Sequence, residues 1–210
     1  MITLFTWSTP NGRKVSIMLE EAGLPYAVET VDIGKDEQFE PEYLALNPNN
    51  KIPAIIDAYG VDERRAVFES GAILIYLAEK SGKLLRAEGR GRAEQLAWLF
   101  WGSTGLAPML GQWNWFARRA PERIPAAVDR FTDEAVRLVK VLEKQLTGAE
   151  YLAGDYSIAD IGAFTWTNAL LKPLKDAASE KLGTTPSIDR WLESLNARPA
   201  VQRGLAVPAL

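Results

Sequence analysis

The stretch Pro48-Asn49-Asn50-Lys51-Ile52-Pro53-Ala54-Ile55-Ile56-Asp57 sets a proline at the head of an apolar run that otherwise reads as a β-strand. A trans proline is tolerated only at a strand's start or on an edge. A cis bond would instead turn the Ile52 backbone outward and leave its N–H and C=O to pair with an extended, peptide-like ligand. Only ~5–6% of X–Pro bonds in folded proteins are cis, so these residues alone favour trans. Upstream, Ile2 to Thr6 is a short β-type run stopped by Ser8-Thr9-Pro10-Asn11-Gly12. From Arg13, the residues Val15, Ile17, Met18, Leu19 and Ala22 have helical spacing, and Gly23-Leu24-Pro25 ends the pattern. Ala27 to Val31 reads as a second strand, followed by a polar connection from Asp32 to Asn50. Downstream, Arg65 to Phe68 is a fourth strand with its turn at Gly60 and Asp62. A helix from Ser70 to Lys80 then carries Ile73, Leu74, Tyr76 and Leu77 on one face. The order is β-α-β, a long connection, then β-β-α.

Everything afterwards reads as helical, at about 92–117, 125–146, 158–171 and 188–195. In Ser157-Ile158-Ala159-Asp160 a Ser is followed three residues later by an acid, a variant of the capping box that fixes where one helix begins. The glycine-rich, charged stretch 83–91 reads as a linker. The expected organisation is a small α/β domain over 1–82 and an all-α domain over 92–210.

Composition restricts the chemistry. The 210 residues are 47% hydrophobic and 24% charged with a net charge of −3, and they contain no Cys and no His. Disulfides, the usual zinc sites, a Cys nucleophile and a Ser–His or Cys–His couple are thereby excluded. No basic stripe points to nucleic acid, and no run approaches a membrane span. The expectation is a soluble cytoplasmic protein whose chemistry comes from hydroxyls, amides, carboxylates, cationic side chains, backbone dipoles or a reactive group carried in by a small molecule.

Two strand-to-helix junctions are candidate ligand sites. Phe68-Glu69-Ser70-Gly71 presents helical N–H groups and the Ser70 hydroxyl to an anion, with Glu69 beside them to accept from an ammonium. Alternatively Ser70 only caps its helix and Glu69 is a solvated acid. At the first junction, Thr9 and Asn11 place a hydroxyl and an amide next to unpaired helical N–H groups, a cradle for an anionic sulfur or oxygen. A thiol of pKa ~8.5 is lowered in such a place. The run Thr9-Pro10-Asn11-Gly12 also suits an ordinary turn and N-cap.

Taken in order, these motifs resemble the glutathione transferase family over essentially the whole chain. The runs Thr9-Pro10-Asn11-Gly12, Pro48 to Ile55, Trp98-Leu99-Phe100-Trp101 and Gly105 to Gln112 are similar to its bacterial Nu class, which includes glutathione-dependent disulfide-bond reductases. The resemblance implies a thioredoxin-like N-terminal domain with a mixed four-stranded sheet, a cis Pro53 and a homodimer. It implies that Ile52 pairs by its backbone with the cysteinyl unit of glutathione. Glu69 and Ser70 would hold the γ-glutamyl end, Gln38 would help fix the ligand, and Lys51 would screen the glycyl carboxylate. Thr9 and Asn11 would contact the sulfur, with Ser8 as the less favoured contact, and Arg130 would reach glutathione from the helical domain. Two glutathiones or oxidised glutathione would occupy the site, and no metal is implied.

The aromatic run Met109, Gln112, Trp113, Asn114, Trp115 and Phe116 is too dense for one buried face, so part of it is expected to face a cleft or a partner, with Met109, Gln112, Trp113 and Trp115 as the substrate-pocket candidates and core packing as the alternative. Three functions remain open: reduction of a small disulfide by bound glutathione, conjugation or thioether and ether cleavage of a small electrophile, and a non-catalytic interaction module.

Overall fold

The computed structural model describes residues 1–59 and 63–209. The turn expected at Gly60 and Asp62 lies outside the described residues. Two compact units are formed, one from Met1–Ala87 together with Asn196–Leu210, the other from Glu88–Leu195.

In the first unit, β1 (Ile2–Thr6) alternates buried Ile2, Leu4 and Thr6 with partly exposed Thr3 and Phe5, the period-two signature of a strand covered on one face. The helix α1 (Pro10–Ala22) starts one turn earlier than its apolar spacing suggests, because Thr9 caps it and Pro10 suits its first position. It ends at Gly23, whose φ of 71° is the left-handed conformation glycine adopts freely. β2 (Tyr26–Thr30) runs parallel to β1, while β3 (Ala54–Tyr59) pairs antiparallel with β1 and β4 (Glu63–Phe68) antiparallel with β3. The sheet order is β2-β1-β3-β4, the mixed four-stranded sheet expected.

α3 (Ser70–Ser81) packs against α1, burying Ile73, Leu74 and Leu77 as Val15, Met18 and Leu19 are buried. It is anchored to β3 by buried Asp57, which accepts from the Tyr76 hydroxyl at 2.6 Å and pairs with Lys80 at 2.8 Å. Burial works against the Asp57 charge, but those two partners outweigh it and its pKa falls below the usual carboxylate value. The long polar connection contains a 3-10 turn (Glu37–Phe39) and the short α2 (Pro41–Leu44). Tyr43 of α2 packs with Val31 and Ala54, against which Phe5 and Ile52 also lie.

The chain's end differs from the expected domain division. α9 (Pro199–Leu205), which local pattern leaves within the helical domain, packs on α1. A Cβ on Gly204 would strike the backbone of Ile17, and the Gly204 carbonyl accepts from Ser16 Oγ at 2.7 Å. Arg198 adds a two-pronged pair to Glu21 at 2.7 and 2.9 Å. These partners lie some 180 positions apart, so nothing local announces them.

In the second unit the helix expected over 92–117 is three pieces: α4 (Gly89–Phe100), a π-helical stretch (Trp101–Leu106) and α5 (Ala107–Arg118). Helix therefore begins inside the expected linker. The π-helical stretch lays Gly102 directly against the backbone of Ala163. α6 (Pro125–Leu146) has its expected bounds, and α8 (Pro186–Asn196) extends slightly beyond its own. α7 (Ile158–Leu182) runs past Leu171, including Pro173, with non-helical geometry at Ala178. Its capping box is present. Buried Asp160 accepts from Ser157 N at 3.1 Å, Leu152 N at 3.0 Å and Trp191 Nε1 at 3.0 Å, while Ser157 Oγ accepts from Ala159 N. Burial pushes the Asp160 carboxyl up to about 6 despite these donors.

Candidate functional site

Strand register gathers the candidate residues of the first unit. Phe5 of β1 lies opposite Ala54 of β3, and Ala54 opposite Phe68 of β4. The C-terminal ends of β1 and β4 and the N-terminal end of β3 therefore share one end of the sheet, with the C-terminal end of parallel β2. Thr9, Ile52-Pro53 and Glu69-Ser70 each lie one to three residues beyond those ends. Gln38 belongs to the segment that leaves β2.

At the first junction Thr9 has extended backbone geometry and its Oγ1 accepts from Gly12 N at 3.2 Å. That bond uses a lone pair and leaves the hydroxyl proton to be donated outward. A Cβ on Gly12 would collide with Thr6 Oγ1 and the Trp7 carbonyl, so only glycine allows this tight start. Asn11 sits in the first turn. Ser8 is exposed and its Oγ accepts from Arg13 Nη2 at 3.1 Å, which commits it to a rim contact.

At the entry to β3 the Ile52–Pro53 bond is cis, as the resemblance implies and the base rate does not. Among the described residues no hydrogen bond reaches the Ile52 backbone. The preceding carbonyl, that of Lys51, is held by the Tyr43 hydroxyl and Asn47 Nδ2, both at 2.6 Å. Burial pushes the Tyr43 hydroxyl up to about 12, so it remains a donor across ordinary pH. Asn47, itself buried, also accepts from Asn49 N at 2.9 Å, and Asn49 Nδ2 lies 3.5 Å from Glu69 Oε1. The Lys51 side chain is exposed.

Glu69 opens α3 with φ of 68° and makes no side-chain cap bond. A non-glycine residue held in that region carries strain of order 1–3 kcal/mol, which persists where surrounding structure imposes it. No cap bond takes the Glu69 carboxylate, and the first α3 N–H groups follow it directly in the chain. Gln38 Nε2 approaches Asp36 Oδ1 at 3.4 Å, while its Oε1 is buried without a partner.

Lys14 is the site-proximal residue that reading by motif passed over. It is 1% exposed, in line with Ile17 and Met18 at 0% each. The available signal was a charged residue three and four positions before two core residues, on the face that must be buried. Burial pushes the Lys14 ammonium down to about 8, with the Glu69 charge opposing that shift.

In the second unit Arg130 lies in α6 with its side chain 69% exposed, 3.9 Å from Glu134. On α5, Met109 is partly buried, while Gln112 and Trp115 are exposed. Trp113 departs from the expected cleft lining: it is 1% exposed and packed in the core, with its Nε1 unpartnered. The spacing Leu106, Leu110, Trp113 puts it on the buried face of that helix. Phe116 stacks on Phe131 with centroids 5.2 Å apart. Among the described residues no group of three or more Asp or Glu is arranged to hold a metal ion. No described helix is long and apolar enough to cross a membrane.

A thioredoxin-like sheet carrying a cis proline and two helix N-termini at one end, followed by a helical unit, defines the class of glutathione transferase folds. The family models agree: residues 9–80 match the glutathione S-transferase N-terminal domain and residues 106–199 its C-terminal domain. The chain belongs to the glutathione S-transferase family. It is 47% identical over 208 residues to the disulfide-bond oxidoreductase YfcG of Escherichia coli (strain K12), covering 98% of this chain and 94% of that protein. Among solved structures it resembles a glutathione transferase from Burkholderia graminis with two glutathione molecules bound per subunit. That match has a TM-score of 0.91 and 45% identity, and covers 99% of this chain and 88% of that one. It also resembles one from Pseudomonas putida with one glutathione disulfide bound per subunit, at TM-score 0.92 and 42% identity, covering 99% and 91%.

Proposed function

We propose that this protein reduces small disulfides with glutathione, holding the tripeptide along the sheet end and stabilising its thiolate. The observation that carries the reading is the junction at Thr9. There the Thr9 Oγ1 acceptor is used by Gly12 N, so its hydroxyl proton and the helix N-terminus are left for an anionic sulfur, in a chain that has no sulfur nucleophile of its own. In this reading the Ile52 backbone pairs with the cysteinyl unit, Glu69 accepts from the γ-glutamyl ammonium, and Ser70 with the α3 N–H groups binds the adjoining carboxylate. Gln38 and Lys51 meet the rest of the tripeptide. Glutathione is bound as a pair or as its disulfide, as in the related structures, by a cytoplasmic homodimer of the Nu class.

The reaction is two thiol–disulfide exchanges. Bound glutathione loses its thiol proton to solvent and the thiolate attacks one sulfur of the substrate disulfide. A sulfur–sulfur bond forms, the substrate's own bond breaks, and its distal half leaves as a thiolate that takes up a proton. A second glutathione thiolate attacks the glutathionyl sulfur of the mixed disulfide, releasing the other half as a thiol and leaving glutathione disulfide. Two glutathiones are oxidised and one disulfide reduced, so no external reductant is needed beyond glutathione. Thr9, Asn11 and the α1 dipole favour the thiolate at each attack.

The test is a steady-state assay of a small dialkyl disulfide with glutathione, compared with cysteinylglycine, which lacks the γ-glutamyl arm. Catalysed reduction with glutathione and none above background with cysteinylglycine is expected. Equal acceleration by both thiols would remove Glu69 and Ser70 from the site.

A further inference from the structure

Lys14 is a buried cation for which the chain itself supplies little. It is 1% exposed, and among the described residues no hydrogen bond or ion pair reaches its ammonium. The charge that acts on it is that of Glu69, at the start of α3. An ammonium taken out of water without a hydrogen-bonded partner is costly, and proteins rarely keep one for packing alone. Its position suggests what it is kept for. Lys14 lies three residues after Asn11, on the same face of α1, and five after the Thr9 cap, about 7.5 Å along the axis. Helical side chains lean toward the N-terminus, so the Lys14 chain runs back over the turn that holds Thr9 and Asn11. α3 packs alongside and brings its own N-terminus to the same end of the sheet.

We propose that Lys14 is a positioning residue of the glutathione site, whose buried positive charge favours the thiolate form of bound glutathione. The inference rests on the glutathione reading above and extends it to the origin of the sulfur's acidity. Neutral donors and helix dipoles at Thr9 and Asn11 are joined by one full charge on a residue only 1% exposed, where its field is less screened than at the surface. Glu69 opposes part of that field. A γ-glutamyl ammonium seated on Glu69 would neutralise it and leave the Lys14 charge acting on the sulfur. By linkage, the thiolate in turn holds Lys14 protonated above the value near 8 to which burial lowers it. A unit charge on the order of 10 Å away, through an effective dielectric of about 20, shifts a thiol by about one pKa unit, a tenfold change in thiolate.

The experiment titrates the ultraviolet thiolate absorbance of glutathione bound to the wild-type protein, Lys14→Met and Lys14→Arg, each shown to be folded by its circular dichroism spectrum. Binding of S-methylglutathione, which has no ionisable thiol, is measured in parallel by calorimetry. In the wild type the bound thiol is expected to titrate below ~8.5. In Lys14→Met it should rise by about one unit, in Lys14→Arg by less than half of that, and S-methylglutathione affinity should stay within about twofold throughout. A bound-thiol pKa unchanged in Lys14→Met overturns the proposal. So does a loss of S-methylglutathione affinity equal to the loss for glutathione, which would make Lys14 a support for Glu69 alone. The wild-type titration decides the matter if the Met variant does not fold, since an unshifted thiol leaves Lys14 nothing to explain. Absence of any glutathione binding to the wild type would instead refute the function proposed above.

Discussion

Replacing Thr9 by Ala removes two separable things, and their sizes can be worked out. The first is the cap: Thr9 Oγ1 accepts from Gly12 N at 3.2 Å, and losing such a cap costs roughly 1 kcal/mol of stability. Domains of this kind have about 5–15 kcal/mol in hand, so the variant remains folded. The second, on the function proposed above, is the hydroxyl proton that Thr9 would offer to the glutathione thiolate. Hydrogen bonds to charged groups contribute about 1.5–3 kcal/mol, which is roughly a 10- to 100-fold loss of kcat/KM. Thr9→Ser keeps both interactions and is expected within about threefold of the wild type. Ser8→Ala removes an exposed hydroxyl already engaged by Arg13 Nη2 at 3.1 Å, and is expected within about twofold. The assay is kcat/KM for a small dialkyl disulfide with glutathione at neutral pH, with urea unfolding of each variant to separate stability from catalysis. A Thr9→Ala protein that loses its cap stability but keeps full kcat/KM would refute the assignment. A Ser8→Ala loss larger than that of Thr9→Ala would move the sulfur contact to Ser8.

Three further outcomes follow from the packing and the buried charges. Gly204→Ala forces a Cβ into the Ile17 backbone and is expected to cost about 2–4 kcal/mol in urea unfolding, with the α9 contact to α1 the first lost. The pKa of Asp57 is depressed by Lys80 and Tyr76, so its contribution to stability is present above its unfolded value near 3.9 and is lost as pH falls through the lower folded value. Asp57→Asn should flatten that acid limb in unfolding measured between pH 2 and 6. For Lys14 the sign is opposite: its folded value near 8 lies below the unfolded ~10.4, so the unfolded chain binds more protons between them and stability rises with pH over that window. Lys14→Met should abolish the rise in denaturation measured from pH 7.5 to 10.5.

Local pattern made most of the first unit legible because each of its elements closes over short distances. The alternation of Ile2, Leu4 and Thr6, the apolar spacing from Val15 to Leu19, and the glycines at 23 and 82 mark strand, helix and stops within a few residues. The capping box at Ser157 and Asp160 was legible for the same reason. What escaped depends on partners far along the chain. α9 carries an ordinary helical pattern, and only its fit against Ile17 and Ser16 assigns it to the first unit. The π-helical stretch from Trp101 to Leu106 keeps the composition of a helix, and its Gly102 lies on Ala163, a contact with no trace in local spacing. Trp113 was drawn toward a cleft by counting aromatics, whereas its phase with Leu106 and Leu110 decides its burial. The cis geometry at Pro53 is a tertiary choice that the dipeptide does not reveal. Lys14 was hidden by its charge, since a lysine in a helix is read as solvated until its phase with Ile17 and Met18 is followed.

The central claim is that a chain with no Cys and no His conducts disulfide exchange with sulfur supplied wholly by its ligand. The direct measurement is the rate of glutathione-dependent disulfide reduction by protein treated with an excess of a thiol alkylator and freed of reagent before assay. The account predicts a rate well above the uncatalysed exchange and equal to that of untreated protein. A rate abolished by the treatment, or no rate above background in either sample, would contradict it.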